Sequence, residues 1–138
     1  MDIETLLTNK NVRPTANRIT VLRELLSQTN PVSLNQLEQS LVTLDKSSIF
    51  RVLTLFSQHG VVHCIEDGSG SMKYEVCGSS HHHHPADMHV HFACTECGET
   101  TCLENIKVPM VELPEGFEPQ AVNYVVKGRC SRCTSRIR

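Results

Sequence analysis

Through the first sixty residues the apolar positions recur at helical spacing. Ile19, Leu22, Leu25 and Leu26 share one face of a segment that Thr15 can cap and that runs to about Gln28. Asn30-Pro31 breaks it, and Ser33 opens a second helix whose apolar residues are Leu34, Leu37 and Leu41. After Thr43–Lys46 a third begins near Ser47, burying Ile49, Val52, Leu53 and Phe56, and Gly60 ends it. A short amphipathic helix over Ile3 to Leu7 precedes all three. The period then changes. Val61–Glu66 and Met72–Val76 read as two strands joined by Asp67-Gly68-Ser69-Gly70-Ser71, whose glycines supply the positive φ of a hairpin. Three helices and a β-hairpin outline a winged helix-turn-helix. Gly78–Asp87 is a polar linker carrying His81-His82-His83-His84-Pro85. Beyond it, Met88–Ala93, Glu99–Leu103 and Ala121–Lys127 read as strands, and Pro109, Pro114 and Pro119 exclude a long helix between the last two. The expected fold class is α+β, with a hinge over residues 79–87 separating a unit over 1–78 from a small sheet over 88–138.

Composition adds a constraint on stability. A chain of 138 residues with no Trp and two Tyr must build each small core from Leu, Ile, Val and Phe, so a metal or a partner chain is expected to add stability. No run approaches the roughly 20 apolar residues that span a bilayer, and Met1 to Lys10 lacks an apolar core of signal-peptide length; the expected compartment is the cytoplasm, with no membrane partner. The net charge of −2 does not advertise a nucleic-acid binder. Phosphate contacts need only a local basic stripe, however, and Arg13, Arg18, Arg23, Lys46 and Arg51 all fall in the first half. Seven cysteines, an odd number, beside eight histidines point to metal or redox chemistry rather than a disulfide framework.

The strongest chemical signal is Cys94-Thr95-Glu96-Cys97-Gly98 with Cys130-Ser131-Arg132-Cys133. Two residues between cysteines let both thiolates reach one ion at about 2.3 Å, and two such knuckles complete a closed tetrahedral Zn²⁺ site. A dithiol redox pair and ordinary core cysteines are the alternatives. The second signal is His89-Val90-His91, two imidazoles on one face of a strand. Cys77 ends the preceding strand and His63 lies on the strand paired with it; across the domain boundary these four could form a second, mixed N/S site. The His81–His84 tract is either a loose metal trap or a solvated linker. The third signal is the non-core face of the helix after Ser47, where Ser47, Ser48, Phe50, Arg51 and Thr54 suit phosphates and thymine methyls, although many surface helices carry such residues.

Taken in order, these residues resemble the ferric uptake regulator family over nearly the whole chain. The matching pieces are Arg13-Pro14-Thr15 with Arg18, Ser48-Ile49-Phe50-Arg51-Val52-Leu53 before Gly60-Val61-Val62, and Tyr74-Glu75-Val76. They continue with His89-x-His91-x-x-Cys94-x-x-Cys97-Gly98 and with Gly128 ahead of Cys130-x-x-Cys133. The resemblance implies an N-terminal winged helix, a C-terminal α/β dimerisation domain with a Cys₄ structural zinc, and a sensing site at the hinge. It implies that His89 and His91 are sensing histidines, that Cys77 stands where zinc-responsive members place a ligand, and that His63 is a further ligand from the wing. Glu75 matches a carboxylate ligand of iron-responsive members, and Cys102 falls where some members use Asp or Glu. It also implies that Arg13, Arg18, Ser48, Phe50 and Arg51 meet double-stranded DNA, a palindromic operator bound by a homodimer.

The departures from the family pattern bear on the metal. Pro31 stands where iron and peroxide sensors usually supply a histidine, Val90 replaces an acid and Val122 a histidine of an additional metal site, and Phe50 replaces a Tyr. The stretch between Cys102 and Ala121 is short and proline-rich, so the usual dimerisation helix is expected to be shortened or missing. Losing oxygen and imidazole donors while gaining Cys77 and Cys102 favours softer or borderline ions. Zinc is thus the first choice of effector and iron the second; haem or peroxide sensing, through the spare thiols Cys64 and Cys102, is third. The expected mechanism is metal-linked closure of two winged helices onto DNA. Two other classes compete. A zinc deaminase-like hydrolase would need a general-base Glu in a His-x-Glu motif, which does not occur; a zinc-ribbon interaction module would lack a basic stripe on the Ser47–His59 face.

Overall fold

The computed structural model describes residues 2–66, 68, 70–76, 89–119 and 122–136, without the side chains of His89, Glu104 and Arg136. The chain divides into two compact units, Met1–Cys77 and Gly78–Arg138. Cys77 and the His81–His84 tract, and with them the expected hinge, lie outside the described residues.

The first unit opens with α1 (Ile3–Asn9) and α2 (Ala16–Ser27), followed by the two-residue β1 (Val32–Ser33), α3 (Leu34–Ser40) and α4 (Lys46–Gln58). Two strands complete it, β2 (Val62–Glu66) and β3 (Met72–Val76). Each helix start has a side-chain cap. Thr15 accepts from the Arg18 amide, and Ser33 and Gln36 exchange bonds in a capping box, 3.2 Å and 2.7 Å. Asp45 caps α4 by accepting from the Ser48 amide at 3.3 Å, so α4 begins at Lys46, one residue before the expected Ser47. It ends in a Schellman turn: Gly60 has φ 73, Val61 N–H donates to the Phe56 carbonyl at 2.8 Å, and Gly60 N–H donates to that of Ser57.

Ile49, Val52, Leu53 and Phe56 of α4 are all buried, against Leu22 and Leu25 of α2, Leu37 of α3 and Val62 of β2. On α2 the inward face centres on Val21, Leu22 and Leu25, which leaves Leu26 about a quarter turn away and 47% exposed, contrary to expectation. β1 was not legible in the sequence. It pairs Val32 with Tyr74 and Ser33 with Lys73, giving an antiparallel sheet of order β1-β3-β2. In the β2–β3 hairpin His63 stands opposite Glu75 and Cys64 opposite Tyr74, and Gly68 and Gly70 take φ of 84° and 89° in the connecting turn.

The second unit is built on β4 (His89–Cys94), β5 (Thr100–Lys107) and β6 (Tyr124–Gly128), in the order β5-β4-β6, with a last helix α5 (Ser131–Arg136). β4 runs antiparallel to β5 and parallel to β6. β5 extends four residues past the expected end at Leu103, and the register shifts between His89, opposite Lys107, and Val90, opposite Leu103. β6 begins at Tyr124 rather than Ala121. Among the described residues from Val108 to Pro119 there is no helix. A tight turn with Gly116 at φ 91 and a Phe117 N–H bond to the Pro114 carbonyl occupies part of that stretch. No helix of the described residues is long and apolar enough to cross a membrane.

Candidate metal centre and nucleic-acid interface

Cys94 is the last residue of β4, and a turn closed by Gly98, φ 77, folds Cys97 back toward it. The turn is fixed by two backbone bonds, Gly98 N–H to the Cys94 carbonyl and Cys94 N–H to the Glu99 carbonyl, both 3.0 Å. Parallel pairing sets Cys94 beside Gly128 of β6, two residues ahead of Cys130. A side chain at Gly128 would press on the Phe92 ring, 3.2 Å from an added Cβ, so the close approach of the two strands favours glycine there. The Thr95 amide locks the junction by donating to the Gly128 carbonyl at 2.7 Å. α5 then returns Cys133 one helical turn after Cys130.

The four sulfurs lie within 4.8 Å of one another. Cys94 and Cys133 are 3.7 Å apart, Cys97 and Cys130 3.9 Å. A tetrahedron with metal–sulfur bonds of about 2.3 Å has edges of about 3.8 Å, so the donor set fits a closed tetrahedral thiolate site. The four thiols are free of disulfides. Cys94 and Cys133 are buried, Cys97 is exposed and Cys130 half-buried, so one edge of the cluster faces solvent. The Cys94 sulfur accepts from the amides of Cys97 (3.4 Å) and Cys130 (3.3 Å), and these bonds pull its thiol down to about 6. Burial, followed by the neighbouring sulfurs, pushes Cys133 up to about 12. Crowding four thiolates this closely requires a cation, and loading one must expel the Cys133 proton.

The other expected ligands fall in both units. In the first, His63 Nε2 lies 3.2 Å from Glu75 Oε1, across the β2–β3 hairpin and half-buried, an ion pair when the imidazole is protonated. In the second, His91 is buried on β4, directly opposite Cys102 on β5. Both pairs join a nitrogen donor to a potential anionic donor across neighbouring strands.

On α4 the expected polar face is outward. Phe50 is 51% exposed, Ser47, Arg51 and Thr54 are exposed and Ser48 is half-buried. Ser48, Phe50 and Arg51 line a groove with Arg18 of α2. Thr15, the cap of α2, lines it too, as do Asn17 and Gln58, which were not singled out from the sequence; α2 is brought against α4 by core contacts that no local motif announces. Arg18 also donates from Nη1 to the Arg13 carbonyl at 2.9 Å, tying the exposed Arg13 to the start of α2. Glu99 and Arg132 were missed as well: they join across the two cysteine knuckles at 2.9 Å.

A model of the ferric uptake regulator family matches residues 9–115. The Vibrio cholerae ferric uptake regulator superposes with a TM-score of 0.63 at 22% identity, covering 94% of this chain and 100% of that one. That of Pseudomonas aeruginosa with manganese gives 0.65 at 22% identity, over 95% and 99%. A zinc uptake regulator complexed with zinc and DNA gives 0.64 at 21% identity, over 96% and 90%. At these identities the structural likeness is one of fold, whereas the family match spans most of the chain. The chain belongs to the ferric uptake regulator family, and is thus a metal-responsive DNA-binding transcription regulator rather than an enzyme.

Proposed function

We propose that this regulator is a zinc-responsive homodimeric repressor acting on palindromic DNA sites in the cytoplasm. It would carry one structural Zn²⁺ on Cys94, Cys97, Cys130 and Cys133. A second, exchangeable ion would take His63, Cys77, His89 and His91, with Glu75 or Cys102 as the alternate donor. The observation that carries the reading is the thiolate-rich donor chemistry: four cysteines converge at tetrahedral spacing, and His91 sits opposite a further thiol, Cys102. Because the exchangeable ligands come from both units, metal binding favours one arrangement of the two DNA-binding units of the dimer. A tenfold gain in DNA affinity takes about 1.4 kcal/mol of coupling, within reach of a few coordinate bonds made in one arrangement only. The Glu75 carboxylate beside His63 supplies an oxygen donor, and that observation favours iron as the second reading. Zinc and iron titrations of DNA binding at buffered free metal separate the two.

The exposed face of α4 serves as the recognition surface in this reading, with Arg51 and Phe50 at its centre, Ser48 and Arg18 flanking it, and Arg13 tied to Arg18 as a further contact. Replacing Arg51 by Ala is expected to weaken binding to a DNA duplex selected by the zinc-loaded protein. It should also lower the slope of log affinity against log salt by about one unit if the guanidinium meets a phosphate. An unchanged isotherm across a salt series removes Arg51 from the interface.

A further inference from the structure

The four-cysteine centre has unequal sides. Cys94 and Cys133 are buried, and the Cys94 sulfur already accepts two backbone amides. Cys97 is exposed, and the Arg132 guanidinium reaches its sulfur from outside the cysteine set, with Nη2 at 4.0 Å. The same nitrogen donates to Glu99 Oε2 at 2.9 Å. Glu99 follows the first knuckle and Arg132 lies inside the second, so one guanidinium bridges the two halves of the site on its solvent side.

We propose that Arg132, tethered by Glu99, is a positioning residue for the exposed edge of the metal centre, slowing loss of the metal and shielding the Cys97 thiolate. The inference rests on the reading of these cysteines as metal ligands. A divalent ion held by four thiolates leaves two net negative charges. On the buried side backbone amides meet that charge; on the open side water, protons and competing ligands can reach the sulfur. A fixed guanidinium there offers donors to the thiolate and opposes its departure from the metal. Glu99 holds the long Arg132 side chain in place, reducing the entropy lost when it lies along the site.

The test uses the full zinc-loaded chain. Zinc transfer to an excess of chromogenic chelator gives the release rate. Competition with a maleimide, which adds the cysteine sulfur across its double bond and needs no oxidant, gives the labelling rate of each cysteine by mass spectrometry. Arg132→Gln is expected to speed release about three- to fivefold, the scale of one exposed charged contact. Cys97 labelling should rise by a similar factor while Cys94 and Cys133 stay unchanged, and added salt should narrow the difference. Glu99→Gln, which frees the guanidinium without deleting it, should give a smaller change in the same direction, and it carries the test if Arg132→Gln fails to fold. Arg129→Gln removes another exposed charge, next in sequence to Cys130, and should leave both rates alone. Unchanged release in both Arg132→Gln and Glu99→Gln overturns the proposal. So does equal acceleration by Arg129→Gln, or a uniform rise in labelling at all four cysteines, which would indicate general loosening. Wild-type protein without zinc overturns the metal-centre reading itself, and is seen before any variant is compared.

Discussion

Replacing Cys94 by Ser is expected to strip the metal and unfold the second unit while leaving the first intact. The reason is the poverty of that unit's core. Among its described residues the buried apolar side chains are Val90, Val108 and two of the cysteines themselves, Cys94 and Cys133. Ile106, Met110, Val111, Leu113, Phe117, Tyr124 and Val126 are all exposed. Structural zinc in small motifs contributes on the order of 10 kcal/mol to folding, and a hydroxyl in place of a thiolate forfeits much of that. The first unit has Leu7, Leu22, Leu37, Ile49, Leu53 and Phe56 fully buried and needs no metal to close. Metal content with thermal melting followed by circular dichroism reads the outcome: no zinc on the centre and a separate early transition. Full zinc stoichiometry with an unchanged melt would mean the four sulfurs are ordinary core cysteines.

The second large effect is expected from the double variant His89→Ala/His91→Ala. It should keep one zinc per chain, remain folded and dimeric, and lose the tenfold or greater stimulation of DNA binding by added metal that a coupling of about 1.4 kcal/mol gives. Zinc stoichiometry, sedimentation and fluorescence anisotropy on a selected duplex measure the three parts. His91 is buried on β4, the central strand between β5 and β6, so a companion His91→Gln variant, closer in size, guards against a packing effect. If metal still tightens DNA binding in the double variant, sensing lies elsewhere and the His81–His84 tract becomes the next candidate.

What could be read in the sequence follows the range over which each signal acts. The period of Ile49, Val52, Leu53 and Phe56 fixes the inward face of α4, because that spacing is itself the helix. The cysteine knuckles are legible for the same reason, each being a local loop that presents two sulfurs to one point. Features decided by neighbours were not legible. β1 is two residues long and exists through its pairing with β3. Leu26 is exposed because contacts with other helices set the phase of α2, and the length of β5 depends on its register with β4. α5 was hidden within Cys130-x-x-Cys133, which reads as a knuckle whether or not a helix carries it. The groove residues Asn17 and Gln58 and the Glu99–Arg132 bridge arise from segments far apart in the chain.

The most direct test of the account is DNA affinity measured against free metal. Protein with its four-cysteine site loaded is titrated with a duplex selected from a randomised pool, at buffered free Zn²⁺ and, in parallel, at buffered free Fe²⁺ and Mn²⁺. The account predicts a rise in affinity of about tenfold or more as zinc fills the second site, at free concentrations where neither other ion acts. The same isotherm with and without every metal would contradict it.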